Sequence, residues 1–437
     1  MLNKKSLLVA ALATAVSAPA FATNGYAPHG VGIKSKSMGG VGIALPQDSI
    51  AAGLNPAGMV HVGNRFDIGG EFFRPIRSTT ITGNGQPGQS ADGFYDASAK
   101  KIFFIPEFGY NRMLNDNMSV GVSVFGNGGM NTDFVSVMPL LSSPRLPDGS
   151  PNPFAERSGI NLEQLFVVPS FSMKINDKHS IGIGINLVVQ QFGAKGLQNF
   201  AAPAGTPFQV SESPDKVTHN GDRDTSYGIG VRIGWLGQLT DRLAVGLTYQ
   251  SKTSMSDFDD YSGLFAEGGG FDIPENYGLG IAFKATPKLT VAFDVVQINY
   301  GDVASISNPI NKLFTGNLLG SSDGPGFGWE DQTVYKLGMS YQYNDKLMLR
   351  AGWNHGDAPI PGSQTLFNTL APATVEDHLT LGLTWALSPT RELTFSYMHA
   401  FENTINGQNS IPPNFGGGEA NIKMYQDSFG IAFGMKM

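Results

Sequence analysis

Apolar residues fall on every second position through about fourteen separate segments of this chain, and the connectors between them alternate between short and long. Ile181, Ile183, Ile185, Leu187 and Val189 alternate with Gly182, Gly184, Asn186, Val188 and Gln190. Near the end, Phe429, Ile431, Phe433 and Met435 alternate with Gly430, Ala432 and Gly434. Each segment therefore has one greasy face and one small or wet face. An antiparallel sandwich with one solvated face alternates in the same way, so the connectors have to decide. Tight, turn-forming connectors sit at 114–117, 176–178, 240–241, 286–288, 344–346 and 388–390. Between them run polar stretches rich in Gly and Pro, roughly 20 to 35 residues each, such as 127–161 and 301–331. Short turns on one side and long loops on the other are the pattern of an outer-membrane barrel. In a bilayer only helices or a closed sheet satisfy every backbone group, and no helical span is offered.

The segments predict strands at 64–77, 101–113, 118–126, 163–175, 179–197, 225–239, 242–252, 277–285, 289–300, 332–343, 346–354, 378–387, 392–401 and 426–437. The fold class expected is all-β: a transmembrane antiparallel β-barrel of about fourteen strands, an even number as such barrels require. Tyr110, Trp235, Tyr249, Tyr341, Trp353 and Trp385 lie near strand ends, where an aromatic girdle would stand. The opening MLNKKSLLVAALATAVSAPAFA reads as a signal peptide over 1–22, with Lys4 and Lys5, an apolar run and the small-x-small site Ala20-Phe21-Ala22. No second apolar segment of about 18 residues follows it. An exported chain without cysteine has no disulfide framework. A net charge of -7 without basic clusters leaves no footprint for nucleic acid.

A barrel of about fourteen strands (64–437) encloses a lumen wide enough for water unless something fills it. The stretch 23–63 is not used by the strands and contains AAGLNPAGMV, an apolar run broken by Asn-Pro. Asp48 can cap one short helix, and Asn55 can cap another that has Pro56 at its first position. Gly39, Gly40, Gly42 and Gly53 allow tight turning in a confined space. This stretch is expected to be a hatch inside the barrel.

Asn55-Pro56-Ala57, preceded by SKSMGGVGIALPQDS and followed by an even-stranded barrel, resembles the long-chain fatty acid and hydrocarbon transporters of the outer membrane, the FadL type. The 161–196 hairpin resembles the one after that family's large third loop. WNHGDAPIPG, with Asp357, Pro359 and Pro361, resembles its Asp-x-Pro-x-Pro segment. The resemblance implies a hatch that blocks the lumen and an inward kink in the third strand that opens a path toward the bilayer. Gly126, Asn127, Gly128 and Gly129 stand where that kink would fall, and glycines inside a strand often mark a bend. It also implies that Phe134, Val137, Met138, Leu140 and Leu141, in the loop that follows, form an extracellular capture groove; exposed apolar clusters mark binding surfaces.

The expected partners are a hydrophobic small molecule, fatty acid or hydrocarbon, and outer-membrane lipid, with the chain a monomer and without nucleic acid, cofactor or metal. No Gly-x-Ser-x-Gly, His-Glu-x-x-His or phosphate-cradling Gly-Lys-Ser/Thr occurs, and the seven histidines have no metal-ligand spacing. An enzyme is not expected. The competing reading is a general diffusion porin, which needs an open, charge-lined lumen where these inward positions are mostly small. Alternation puts Arg232, Lys284, Lys336 and Arg350 on the inward face, because a cation on the lipid face costs roughly 2 to 4 kcal/mol at mid-bilayer. There they can meet a carboxylate head group or pair with lumen acids such as Asp294.

Overall fold

The computed structural model describes residues 24–85, 90–145, 150–206 and 209–437, so the expected leader 1–22 lies outside the described residues. None of its helices is long and apolar enough to cross a membrane. Fourteen strands form the wall: β1 Arg65–Thr82, β2 Phe103–Asn115, β3 Met118–Asp133, β4 Gly159–Lys174, β5 His179–Lys195, β6 Asp224–Thr240, β7 Leu243–Gln250, β8 Asn276–Lys284, β9 Leu289–Ile298, β10 Gln332–Asn344, β11 Leu347–His355, β12 Asp377–Ser388, β13 Arg391–Ile405 and β14 Glu419–Lys436. Each pairs antiparallel with its sequence neighbour. β14 returns to β1 from Arg65↔Lys436 to Thr82↔Glu419, which closes the ring and leaves no free edge between the first and last strands. Two short strands, Gly93–Asp96 and Ser254–Met255, pair with β1 and β6 at the loop end.

The alternation maps onto lipid and lumen. On β5, Ile181, Ile183, Ile185 and Leu187 are exposed while Gly184, Asn186 and Val188 are buried. Tyr341 and Trp385 are exposed near the turn end and Trp353 near the loop end. The Trp353 indole donates to Asp377 at 3.0 Å, an apolar ring with a wet edge, as an interface position favours.

On the loop side several strands run further than their alternation predicts. β1 continues to Thr82, β3 to Asp133, while β4 begins at Gly159 and β14 at Glu419. Beyond the bilayer one face no longer meets lipid, so the two-residue rhythm fades while the ladder continues. Ile81, Ile160 and Ile422 there pack into a large apolar core built by the outer loops around Phe134, Phe192, Phe258, Tyr300 and Trp329.

The chain from Asn24 to Val62 is not in the wall. Most of it is buried, and it runs through the ring as single turns, among them Ile33–Lys36, Ala51–Gly53, Pro56–Gly58 and Met59–Val62.

Candidate functional site

The inner segment is seated on glycines of the wall. Gly182 of β5 and Gly234 of β6 are register partners, and side chains there would lie 2.3 Å from the Pro56 carbonyl carbon and 1.9 Å from Asn55 Oδ1. Gly246 and Gly280, partners across β7 and β8, receive Ile43 in the same way. Gly338 and Gly352, partners across β10 and β11, receive Met38. Three paired gaps in the lining thus admit the backbone of the segment at van der Waals contact.

Asn55 is a fastener at the first gap. Its Oδ1 accepts from Ala57 N–H at 3.0 Å, capping the turn that starts at Pro56, and its Nδ2 donates to the Ile43 carbonyl at 2.8 Å and to the Trp235 carbonyl of the wall at 3.0 Å. The Ala57 carbonyl accepts from Ser172 and Ser180. Asp48 Oδ1 accepts from Ile50 N–H at 3.0 Å, but the short helix expected after it is the single turn Ala51–Gly53, with Ile50 at its N-cap and no side-chain cap.

On the far wall, Asp294 Oδ2 accepts from the N–H groups of Gly42 and Ile43 at 2.8 and 3.0 Å. Lys336, its register partner, donates Nζ to the His29 carbonyl at 3.0 Å. Asn354 donates to the Gly39 carbonyl, and Thr380 accepts from Gly39 N–H. Ion pairs join Lys36 to Glu71, and Lys34 and Arg65 to Glu392. Glu107 accepts from Ile33 N–H at 3.0 Å and Asp67 from both the amide and hydroxyl of Ser49. Asp294 is the lumen acid that the alternation points to; Asp67, Glu71, Glu107 and Glu392 are not singled out by the sequence reading. The signal was available: Asp67 and Glu71 sit at even spacing within a membrane strand, and charged groups there must face the lumen.

All four expected lumen cations share the inward face, opposite the exposed Val231, Phe283, Leu337 and Leu349. Their surroundings separate them. Lys336 and Arg350 hold the inner segment, Arg350 through Nε to Gln47 Oε1 at 3.2 Å and through Nη1 to Thr384. Lys284 is exposed at the turn end, beside Ala282 and Arg242. Arg232 is buried and donates to Gln250 Oε1 across β6 and β7. Around it Arg232 Nε, Gln250 Nε2, Thr253 Oγ1 and both side-chain polar atoms of Asn186 are buried without hydrogen-bond partners.

The wall is interrupted between β2 and β3. β2 and β3 pair from Asn115↔Met118 up to Glu107↔Phe125 and no further. Above that point Phe103–Pro106 pairs with β1 and Gly126–Asp133 with β4, and Asp133 also exchanges backbone hydrogen bonds with Ala97 and Ala99. The β3 register against β4 slips between Gly126 and Gly128, leaving Asn127 unopposed as a bulge. Gly129 N–H then donates inward to the Tyr26 carbonyl at 3.1 Å, and a side chain on Gly128 would lie 2.2 Å from that oxygen. Gly126, Asn127, Gly128 and Gly129 therefore lie within β3 and not in a loop. Arg77 of β1 spans the gap, donating to the Asn131 and Lys100 carbonyls.

The outer loops correct one expectation. Phe134, Met138, Leu140 and Leu141 are buried and Val137 is half-buried, so these side chains pack into the loop core and leave no exposed groove. A loop crowded with apolar groups gains about 25 cal/mol per Å² by turning them inward against its neighbours. That core holds a cavity of about 40 Å³ lined by Phe192, Phe200, Phe265, Phe327 and Phe367, with Ser305 the polar contributor and no charged residue in the lining. Burial pushes the Tyr261 hydroxyl nearby up to about 12, keeping it a neutral donor to the Asp222 carbonyl. Asp357 of the Asp-x-Pro-x-Pro segment is exposed after β11, while Ile360 enters the core. No cluster of metal-ligating side chains occurs among the described residues.

The family described as "Outer membrane protein transport protein (OMPP1/FadL/TodX)" matches residues 9–437. The chain belongs to this family. The FadL/TodX members are transporters of hydrophobic compounds and not enzymes, and the barrel belongs in the outer membrane. The chain is 22% identical to the long-chain fatty acid transport protein of Escherichia coli K12, with 92% of each chain covered. It is also 22% identical to outer membrane protein P1 of Haemophilus influenzae, over 78% of this chain and 75% of that one. Among solved structures, the Pseudomonas putida toluene transporter TodX superposes with a TM-score of 0.68 at 18% identity, covering 94% of this chain and 99% of that one. At such identity the likeness establishes the fold of this FadL/TodX-type barrel.

Proposed function

We propose that this barrel takes up hydrophobic small molecules, fatty acids or hydrocarbons, from the outer-loop chamber and releases them sideways through the interrupted wall between β2 and β3. The observation that carries this is the meeting of three features at one point: the bulge at Asn127, the end of the β2–β3 ladder at Phe125, and the bond from Gly129 to Tyr26 of the inner segment. An opening that faces acyl chains suits cargo that prefers the bilayer to water, because leaving sideways avoids a second exposure of apolar surface. The inner segment acts as the hatch. A shift of its first residues pulls directly on the bent strand, so the state of the plug and the state of the gap are mechanically linked.

The uncharged lining of the outer chamber suits an apolar body. A carboxylate head group, when the cargo has one, is met lower down by Arg232 and its unspent neighbours. Val168 and Val188 beside that group belong to an apolar cluster that reaches Phe125 and Phe166. A general diffusion porin fits poorly, because the wall spends three glycine pairs and several charged groups on seating the inner segment.

Deleting Asn127 tests the lateral route. It restores one-to-one pairing along β3 and lets the ladder to β2 extend. We expect uptake of a radiolabelled fatty acid or alkane to fall at least about tenfold while the folded, heat-modifiable barrel is retained, since only backbone pairing changes. Full uptake by a folded deletion variant would overturn the route.

A further inference from the structure

We infer that the periplasmic end of the barrel carries a separate binding site for a small oxyanion, a carboxylate or phosphate, centred on Arg350. A cavity of about 610 Å³ opens among the turns 344–346 and 388–390 and is roofed by Leu45, Pro46 and Gln47 of the inner segment. Six cationic side chains line it against two carboxylates, Asp345 and Glu392. Glu392 is already held between Lys34 and Arg65.

Arg350 is buried, yet its donors meet only uncharged oxygens: Gln47 Oε1 through Nε and Thr384 Oγ1 through Nη1. Glu392 and Asp48 act on it through space without bonding to it. The Gln47 Nε2 donor beside it is buried without a partner. A guanidinium out of water without a paired anion is costly, and a planar fork next to an amide donor is the arrangement that takes an oxyanion in charge-assisted hydrogen bonds. Arg391, Lys346 and Lys436 on the exposed rim add a field that raises the local anion concentration. Gln47 and Lys34 belong to the inner segment while Arg350 and Thr384 belong to β11 and β12. A bound oxyanion therefore bridges the plug and the wall.

The site lies at the opposite end of the barrel from the lateral gap, and its test contains no transported cargo, so its failure is distinct from failure of the lateral route. Sodium butyrate, inorganic phosphate and uncharged butanol are each titrated by calorimetry into the full-length protein in micelles of an uncharged detergent. We expect saturable one-to-one binding of butyrate or phosphate and none of butanol. Arg350→Gln should weaken binding by about tenfold, as loss of a charge-assisted pair does, and Arg391→Gln by less; Lys252→Gln, at the loop end of the barrel and outside the cavity lining, should change nothing. Tighter butyrate identifies a carboxylate site; tighter phosphate identifies an inorganic anion. If Arg350→Gln does not fold to the heat-modifiable form, Gln47→Leu serves the same comparison. Absence of saturable binding by both anions, or equal affinity in the folded variants and the parent, overturns the inference.

Discussion

The wall from β8 to β12 and the wall from β2 to β3 hold the same inner segment in different ways. On the first, the ladders run from turn to loop end with one register slip, between Gln342 and Asn344 beside the turn, and the segment is fixed by charged and polar side chains: Asp294 on Gly42 and Ile43, Lys336 on His29, and Asn354 and Thr380 on Gly39. On the second, the ladder stops at Phe125, and above it the contact is one backbone hydrogen bond, from Gly129 to Tyr26. A hydrogen bond between neutral groups contributes about 0.5 to 1.5 kcal/mol, and one to a charged group about 1.5 to 3. The segment is thus bolted to the first wall. Below the gap β2 and β3 also hold the segment, Glu107 on Ile33, Asn111 on Met59 and Ser123 on Ser49, so it is lightly latched only above the gap, at its first residues. Motion should begin at Asn24–Ala27 and leave Met38–Ile43 in place.

The largest expected effect comes from destroying a seat. Replacing Gly182 and Gly234 together by Leu puts side chains where Pro56 and Asn55 now lie, at separations that no rotamer relieves. Overpacking of this kind costs about 1 to 3 kcal/mol per site, and displacing the segment relieves it. Single-channel recordings should then show a persistent conductance that the parent lacks, with the barrel still folded. A closed, folded double variant would mean that the segment does not plug the lumen.

Breaking the bolt by charge comes next. Asp294→Ala strips two backbone N–H groups of their acceptor and leaves Lys336 buried without its opposite charge. Asp294 and Lys336 face each other as register partners without a hydrogen bond between them, so the main loss is that of two hydrogen bonds to a charged acceptor, about 1.5 to 3 kcal/mol each, and removing the Lys336 charge as well offsets a part of it. Amide exchange at Gly42 and Ile43 should rise by orders of magnitude in Asp294→Ala, and the Asp294→Ala, Lys336→Met double variant should recover part of the protection. Equal exchange in both variants would show that Asp294 acts alone.

Much of this comparison could be read from the residues, and the reason it could not all be read is physical. Lipid enforces a period of two, so the fourteen strands and the inward face of Arg232, Lys336 and Arg350 follow from Val231, Leu337 and Leu349 pointing outward. Asn127 was legible as a break because two glycines follow Gly126 around it. What the alternation does not encode is which lumen groups face one another across the barrel. The union of Lys34 with Glu392, or of Gly182 with Pro56, joins residues that are distant in sequence through closure of the ring. The outer loops were misread for the complementary reason. Their apolar residues follow no period, and only tertiary packing decides whether Phe134 and Leu141 face water or one another.

The latch side gives a smaller effect. Gly128→Val sets a side chain against the Tyr26 carbonyl and should push the first residues of the segment inward without touching the bolts. Exchange should then rise at Gly129 and stay unchanged at Gly42. Initial uptake should change by about twofold to fivefold, in keeping with the loss of one neutral hydrogen bond. A rise in exchange at both positions would mean that the segment moves as one rigid body and that the two walls do not differ.

The finest test asks whether the bolts also read the cargo. Lys336 is spent on the inner segment, so Lys336→Met should alter binding of a fatty acid and of an uncharged analogue of equal chain length to the same degree, through the plug; Arg350 is tested separately, with butyrate and phosphate. Lys284 stands exposed at the turn end, and Lys284→Met should alter neither. Arg232 differs from Lys336 and Lys284: it is buried, its bond goes to the neutral Gln250, and polar groups without partners surround it at Asn186, Gln250 and Thr253. A carboxylate placed there gains charge-assisted bonds that a neutral head group cannot form, so Arg232→Met should weaken the fatty acid by about tenfold and spare the analogue. The measurement is a pair of dissociation constants for each variant. Equal losses for both ligands in Arg232→Met would make Arg232 another structural cation, and a selective loss in Lys336→Met instead would move the head group to the bolted wall.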